Sequence, residues 1–178
     1  MRKVVAYELL SLDGVAEQPD DFILDFDEVM TGNLGRVIAT QDAVLLGRRT
    51  YNEWARFWPT SDIEPFASFI NSTQKFVVTS TPVEQSWENA AIVEGDFTKF
   101  VTELKQQPGG DIGVHGSISL TGSLLEEGLV DELRLVVAPF IRMNGRKLFD
   151  RGVQTRLSLT RNVTSPSGYL LVDVRFGT

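Results

Sequence analysis

Leu45-Leu46-Gly47-Arg48-Arg49-Thr50-Tyr51 is the stretch on which the fold turns. The apolar run Ala43 to Leu46 predicts a strand that stops at Gly47. Thr50 to Phe57 predicts a short helix, with Pro59 just beyond it. A glycine between the two permits a tight backbone approach, and two arginines fall at the helix start. Free N–H groups, the helix dipole and a guanidinium all favour a phosphate there. The same residues also suit a plain turn with solvated arginines.

A second junction of this kind is Gly110-Asp111-Ile112-Gly113-Val114-His115-Gly116-Ser117. Asp111 to Val114 predicts a strand. A helix follows over about 117–127, and Gly128 marks its end. Small residues at the corner let backbone amides reach a pyrophosphate, although the spacing is not G-x-G-x-x-G. Two such corners at one sheet end could share a dinucleotide, because ligands of open α/β sheets bind outside the carboxyl ends of the strands.

Outward from these corners, strands alternate with helices. Val4 to Leu10 predicts a first strand, and Ser11-Leu12-Asp13-Gly14 supplies turn chemistry. Phe26, Met30, Leu34, Val37 and Ile38 recur at helical spacing, which gives a helix over about 26–40. Lys75 to Thr79 and Ala91 to Val93 predict strands. Asp96 suits the cap of a helix carrying Phe97, Phe100, Val101 and Leu104. Glu132 to Ala138, Leu157 to Val163 and Tyr169 to Phe176 complete the strands, with a hairpin turn at Ser165-Pro166-Ser167-Gly168. The order predicts an α/β fold with a mixed, mostly parallel sheet and a C-terminal antiparallel hairpin. No repeat, linker or low-complexity tract interrupts it, so one domain over 1–178 is expected.

The chain has 24 acidic and 17 basic residues, a net charge of −7, which argues against general attraction to nucleic acid or anionic membranes. Cysteine is absent, which removes disulfides, thiolate metal sites and thiol nucleophiles. No His cluster suggests a metal either. No apolar run approaches the roughly 20 residues of a membrane helix. Glu8 interrupts the N-terminal apolar run too early for a signal peptide, so a cytoplasmic location is expected.

Several side chains stay open to two readings. His115, the lone histidine, suits a packing or hydrogen-bonding role at its turn and has no Ser–His–Asp pattern around it. Asp20, Asp21, Asp25, Asp27 and Glu28 suit a solvated helix start, or one of them, Asp27 foremost, protonates a substrate ring or hydrogen-bonds it. Trp54, Phe57 and Trp58 suit core or rim, or line a ring-binding pocket.

The ordered set of motifs resembles the dihydrofolate reductase-like superfamily, and most closely the branch of the reductase domain of bacterial riboflavin biosynthesis. The resemblance rests on Ser11-Leu12-Asp13-Gly14, on Gly47-Arg48-Arg49-Thr50-Tyr51, on Lys75-Phe76-Val77-Val78-Thr79 and on Gly113-Val114-His115-Gly116-Ser117. It continues through Leu129-Val130-Asp131-Glu132-Leu133, Pro139 and Gly145-Arg146-Lys147-Leu148-Phe149, and so spans nearly the whole chain. It implies a three-layer sandwich that binds NADPH across strand ends and reduces a small pyrimidine- or pterin-like heterocycle, in the manner of 5-amino-6-(5-phosphoribosylamino)uracil reductase. By the same resemblance Gly47, Arg48, Arg49 and Thr50 face the adenosine-side phosphates. Gly113, Gly116 and Ser117 lie near the pyrophosphate or the nicotinamide ribose, His115 is counted with them among the cofactor-binding residues, and Asp13 and Gly14 flank the nicotinamide end. His115-Gly116 departs from the Gly-Gly of folate reductases, and no acid matches their pterin-binding position. A homodimer is implied as well; the apolar run Leu133 to Phe140 suits either its interface or the core. The alternative is a nucleotide-binding or self-associating protein of the same fold with little turnover.

Overall fold

Among the described residues, the apolar pattern of the chain resolves into eight strands and five helices. The structure, a computed structural model, describes residues 1–150 and 154–177. In chain order these are β1 (Val4–Ser11), α1 (Glu28–Ile38), β2 (Gln41–Gly47), α2 (Arg48–Phe57), α3 (Phe66–Ser72), β3 (Gln74–Val78), β4 (Ala90–Val93), α4 (Phe97–Gln106), β5 (Asp111–His115), α5 (Ile118–Glu126), β6 (Glu132–Ala138), β7 (Leu157–Thr164) and β8 (Leu170–Phe176). Single 3₁₀ turns occupy Pro19–Asp21 and Trp58–Thr60.

The strands form one sheet in the order β4-β3-β2-β5-β1-β6-β8-β7. β1 to β6 run parallel, and β8 pairs antiparallel with both β6 and β7. Side chains of α1, α2 and α3 (Met30, Leu34, Tyr51, Ile70) pack with Tyr7, Leu46 and Val136 on one face. Those of α4 and α5 (Val101, Leu104, Leu120, Leu124) pack with Val4, Leu45 and Leu133 on the other. The result is a three-layer α/β sandwich with a mixed, mostly parallel sheet and a C-terminal antiparallel hairpin, as expected. β6 lies between β1 and β8, so the apolar run that begins at Leu133 belongs to the interior of the sheet and not to an exposed edge.

Capping explains the helix starts. The Asp27 carboxylate accepts from Met30 N at 2.9 Å and starts α1. Asp96 accepts from Lys99 N at 3.1 Å and starts α4. One helix, α3, has no counterpart in the sequence reading. It is only seven residues long, too short to show a clear period. Its C-terminal carbonyls are met by a buried cation: Lys75 Nζ donates to Ile70 O at 2.8 Å and Thr73 O at 2.9 Å, and sits 4.6 Å from the centre of the Trp87 ring.

Candidate active site

The carboxyl ends of β3, β2, β5 and β1 lie side by side. Thr79-Ser80-Thr81-Pro82 follows the first, Arg48 and Arg49 the second, Gly116-Ser117 the third and Leu12-Asp13-Gly14 the fourth. Three inter-strand spacings span about 14 Å.

The two glycine corners meet at this edge. β2 and β5 are parallel neighbours that pair Leu45 with Val114. The Gly47 N–H donates to Ser117 Oγ at 3.1 Å, which ties the start of α2 to the start of α5. Gly47 has an ordinary φ of −75°. A Cβ there would meet nothing closer than 3.8 Å, so the protein's own packing does not require glycine at 47. Gly116 has φ +63°, a conformation that favours glycine, and a Cβ would lie 3.5 Å from Trp54 Cζ2. Gly14, with φ +85°, has open space around it. The three glycines leave a backbone edge bare of side chains, and such an edge admits close approach of a ligand.

Arg48 and Arg49 open α2 and are both exposed. With Asn52, Glu53, Arg56 and Glu84 they line a cleft of about 290 Å³. Asn52 Oδ1 accepts from Glu84 N at 3.1 Å, and Arg56 pairs with the Glu84 carboxylate. Three arginines against two acids make the cleft positive in a chain of net charge −7. At the neighbouring strand ends, Thr79, Ser80, Thr81, Pro82, Val83 and Ile92 enclose a depression of about 430 Å³. Asn52, Arg56 and this second set were not named as site residues from the sequence. A run of hydroxyl residues closing β3 was their only signal. Among the described residues, no group of three or more His, Cys, Asp or Glu side chains is placed to hold a metal ion.

The family model for the RibD C-terminal domain matches residues 2–171. The chain belongs to that family. Its full-length relatives include the uncharacterized protein YyaP of Bacillus subtilis (strain 168), 28% identical over 181 residues, which cover 96% of this chain and 93% of YyaP. Among solved structures, a protein provisionally assigned to riboflavin biosynthesis in Shewanella sp. PV-4 superposes with a TM-score of 0.79 at 18% identity, covering 99% of each chain. The Thermotoga maritima diaminohydroxyphosphoribosylaminopyrimidine deaminase/5-amino-6-(5-phosphoribosylamino)uracil reductase superposes with a TM-score of 0.67 at 14% identity, over 99% of this chain and 57% of that one. This RibD-type domain therefore has the dihydrofolate reductase-like fold.

Within the RibD-type framework, four residues singled out from the sequence make contacts inside the protein, and for His115 and Asp27 these match the packing and helix-start readings offered by the sequence. The His115 side chain is buried among the Tyr7, Phe66 and Phe69 rings. Its Nε2 lies 2.8 Å from Gln41 Oε1, and burial lowers its pKa to about 3. It is neutral and turned inward, so only its main chain faces the strand ends. Gly113 is glycine for an internal reason, since a Cβ would lie 2.1 Å from Gln41 Oε1. Gln41 crosses the bare Gly113 backbone to reach His115.

Asp27 caps α1 and also accepts from Ser167 N at 3.1 Å. Desolvation raises its pKa, but the Met30 N–H and the Ser165 and Ser167 donors outweigh it and bring the value to about 2. Its carboxylate is committed to the helix cap and the Ser165–Ser167 turn, which favours the helix-start reading over that of a proton donor. The Asp13 carboxylate accepts from Arg142 N at 3.0 Å, Ser11 Oγ at 2.7 Å and Met143 N at 3.0 Å, and is held at about 2, chiefly by the Arg142 N–H. It fastens the loop after β6 to the loop after β1. Trp54 and Trp58 pack against the core beside Phe66, whereas Phe57 is exposed.

Proposed function

We propose that the protein is an NADPH-dependent reductase of a small pyrimidine- or pterin-like heterocycle. The Gly47–Ser117 contact carries this reading, because it joins two glycine corners into one edge beside a positive cleft. The residues present fit a dinucleotide in an ordered way. The depression at Thr79–Val83 and Ile92 suits an adenine. Arg48, Arg49 and Arg56 suit the 2′-phosphate that distinguishes NADPH from NADH. Gly47, Thr50, Gly116 and Ser117 present main chain and hydroxyls to the diphosphate. Gly14 and the main chain of Asp13 flank the nicotinamide end.

When bound, the reduced nicotinamide supplies a hydride. The task of this chain is to hold the ring substrate against it in reactive geometry. With the Asp27 carboxylate committed to the helix cap and His115 buried, the accompanying proton comes from water. Titrating NADPH by calorimetry or fluorescence tests the reading. Saturable binding is expected, and no binding at millimolar NADPH would remove it.

A second reading is a nucleotide-binding protein of the same fold with little turnover. The two candidate acids, Asp13 and Asp27, are both held as carboxylates by their hydrogen bonds, which favours it. Tight NADPH binding with no oxidation across a panel of pyrimidines, pterins and quinones would select it over the first.

A further inference from the structure

The loop after β6 folds back over the loop after β1. Leu12 N donates to Phe140 O at 2.7 Å, Ala16 N to Arg146 O at 3.0 Å and Leu148 N to Gly14 O at 3.1 Å. Gly145, at φ +117°, lies so close beneath this crossing that a Cβ would stand 2.7 Å from Val15 Cγ1. The crossing places Arg146 at the edge described above. Its Nη1 donates to Ser119 Oγ at 3.0 Å in the first turn of α5, two residues beyond Ser117. Its Nε and backbone N–H both donate to the Glu17 carboxylate, each at 3.1 Å. The charge of Arg49, at the other corner, also acts on Glu17 and helps hold its carboxyl below the usual range, after the larger effect of Arg146. Gln18, the next residue, sits at φ +51°, a backbone region that a side chain disfavours.

A carboxylate engaged by one arginine and within the field of a second occupies the kind of position a phosphate takes. We propose that Arg146 is a further phosphate-binding residue, and that Glu17 holds its guanidinium at the edge until a ligand diphosphate takes the carboxylate's place. This rests on the dinucleotide reading of the site. The diphosphate carries more charge than the carboxylate and presents more acceptor oxygens, so it wins the guanidinium.

The test is calorimetric titration of NADPH, and separately of inorganic diphosphate, into wild type, Glu17→Gln, Arg146→Met and the double variant. Glu17→Gln keeps an acceptor for Arg146 but removes the competing charge, and should tighten both ligands by about two- to fivefold. Arg146→Met keeps the main-chain bonds of the crossing. It should weaken both ligands by at least that factor and abolish the gain in the double variant. Unchanged or weaker binding in Glu17→Gln overturns the proposal, as does a gain that survives loss of Arg146. Glu17→Gln alone decides if Arg146→Met fails to fold. If diphosphate shows the pattern while NADPH fails to bind wild type, the inference stands and the NADPH reading falls. If NADPH binds and the ratios are flat, the reverse holds. If neither ligand binds any variant, both fall.

Discussion

Glu8 is a carboxyl shut away from the surface. It is fully buried, and Thr121 Oγ1 donates to its Oε1 at 2.7 Å. Burial pushes its pKa up to about 7, against the smaller lowering effect of that hydrogen bond. A carboxyl raised on folding stabilises the fold below its unfolded pKa and loses that contribution as pH rises through the folded value. Stability should therefore fall between about pH 5 and pH 8, by on the order of 3 kcal/mol. Glu8→Gln keeps the acceptor for Thr121 and should flatten the profile, as urea unfolding at pH 5 and pH 8 would show. A wild-type profile as flat as the variant's would contradict the burial argument. At the cleft, the double change Arg48→Ala and Arg49→Ala should weaken NADPH more than NADH; equal loss would dissociate these arginines from the 2′-phosphate. Because the Asp27 carboxylate is committed to the helix cap, Asp27→Asn should leave any NADPH oxidation rate within about twofold. A loss of two orders of magnitude would return it to the reaction.

At the scale of elements, the period of the chain was largely legible, and the company each element keeps was less so. Every strand and four of the five helices follow from apolar spacing and turn residues. The exception, α3, is too short to announce itself, and its end is fixed by Lys75, which comes from the next strand. The inward turn of His115 could not be read either. β5 is covered on both faces, so alternation along Gly113-Val114-His115 does not say which face is solvent. The pairing of Glu17 with Arg146 was invisible, because it arises from two loops 129 positions apart. The contact of β5 with β2 makes one prediction. Gly113→Ala should destabilise by about 1–3 kcal/mol by displacing Gln41 from His115. In a Gln41→Ala background much of that cost should disappear, since the obstructing amide is gone. A cost that stays unchanged in the double variant would show that the crowding lies elsewhere.

On the scale of the molecule, one sheet presents its candidate edge through loops and keeps its interior for packing. Among the described residues no helix is long and apolar enough to cross a membrane. NADPH at 100 times its Kd should raise stability by about 2.7 kcal/mol. Hydrogen exchange should slow in the segments 12–18, 47–50, 79–83 and 116–119, while β7, at the far edge of the sheet, exchanges as before. Protection centred on β7 would place the ligand at the wrong end of the sheet.

The bond between Gly47 and Ser117 bridges 70 positions of sequence, and it can form only once β5 has slotted between β2 and β1. A nascent chain that has emerged through Arg49 thus carries the basic residues but has nowhere to dock a nucleotide. On the dinucleotide reading proposed above, capture of the ligand becomes a late event in biosynthesis, and retention of nicotinamide fluorescence would report that the central strand has been threaded correctly.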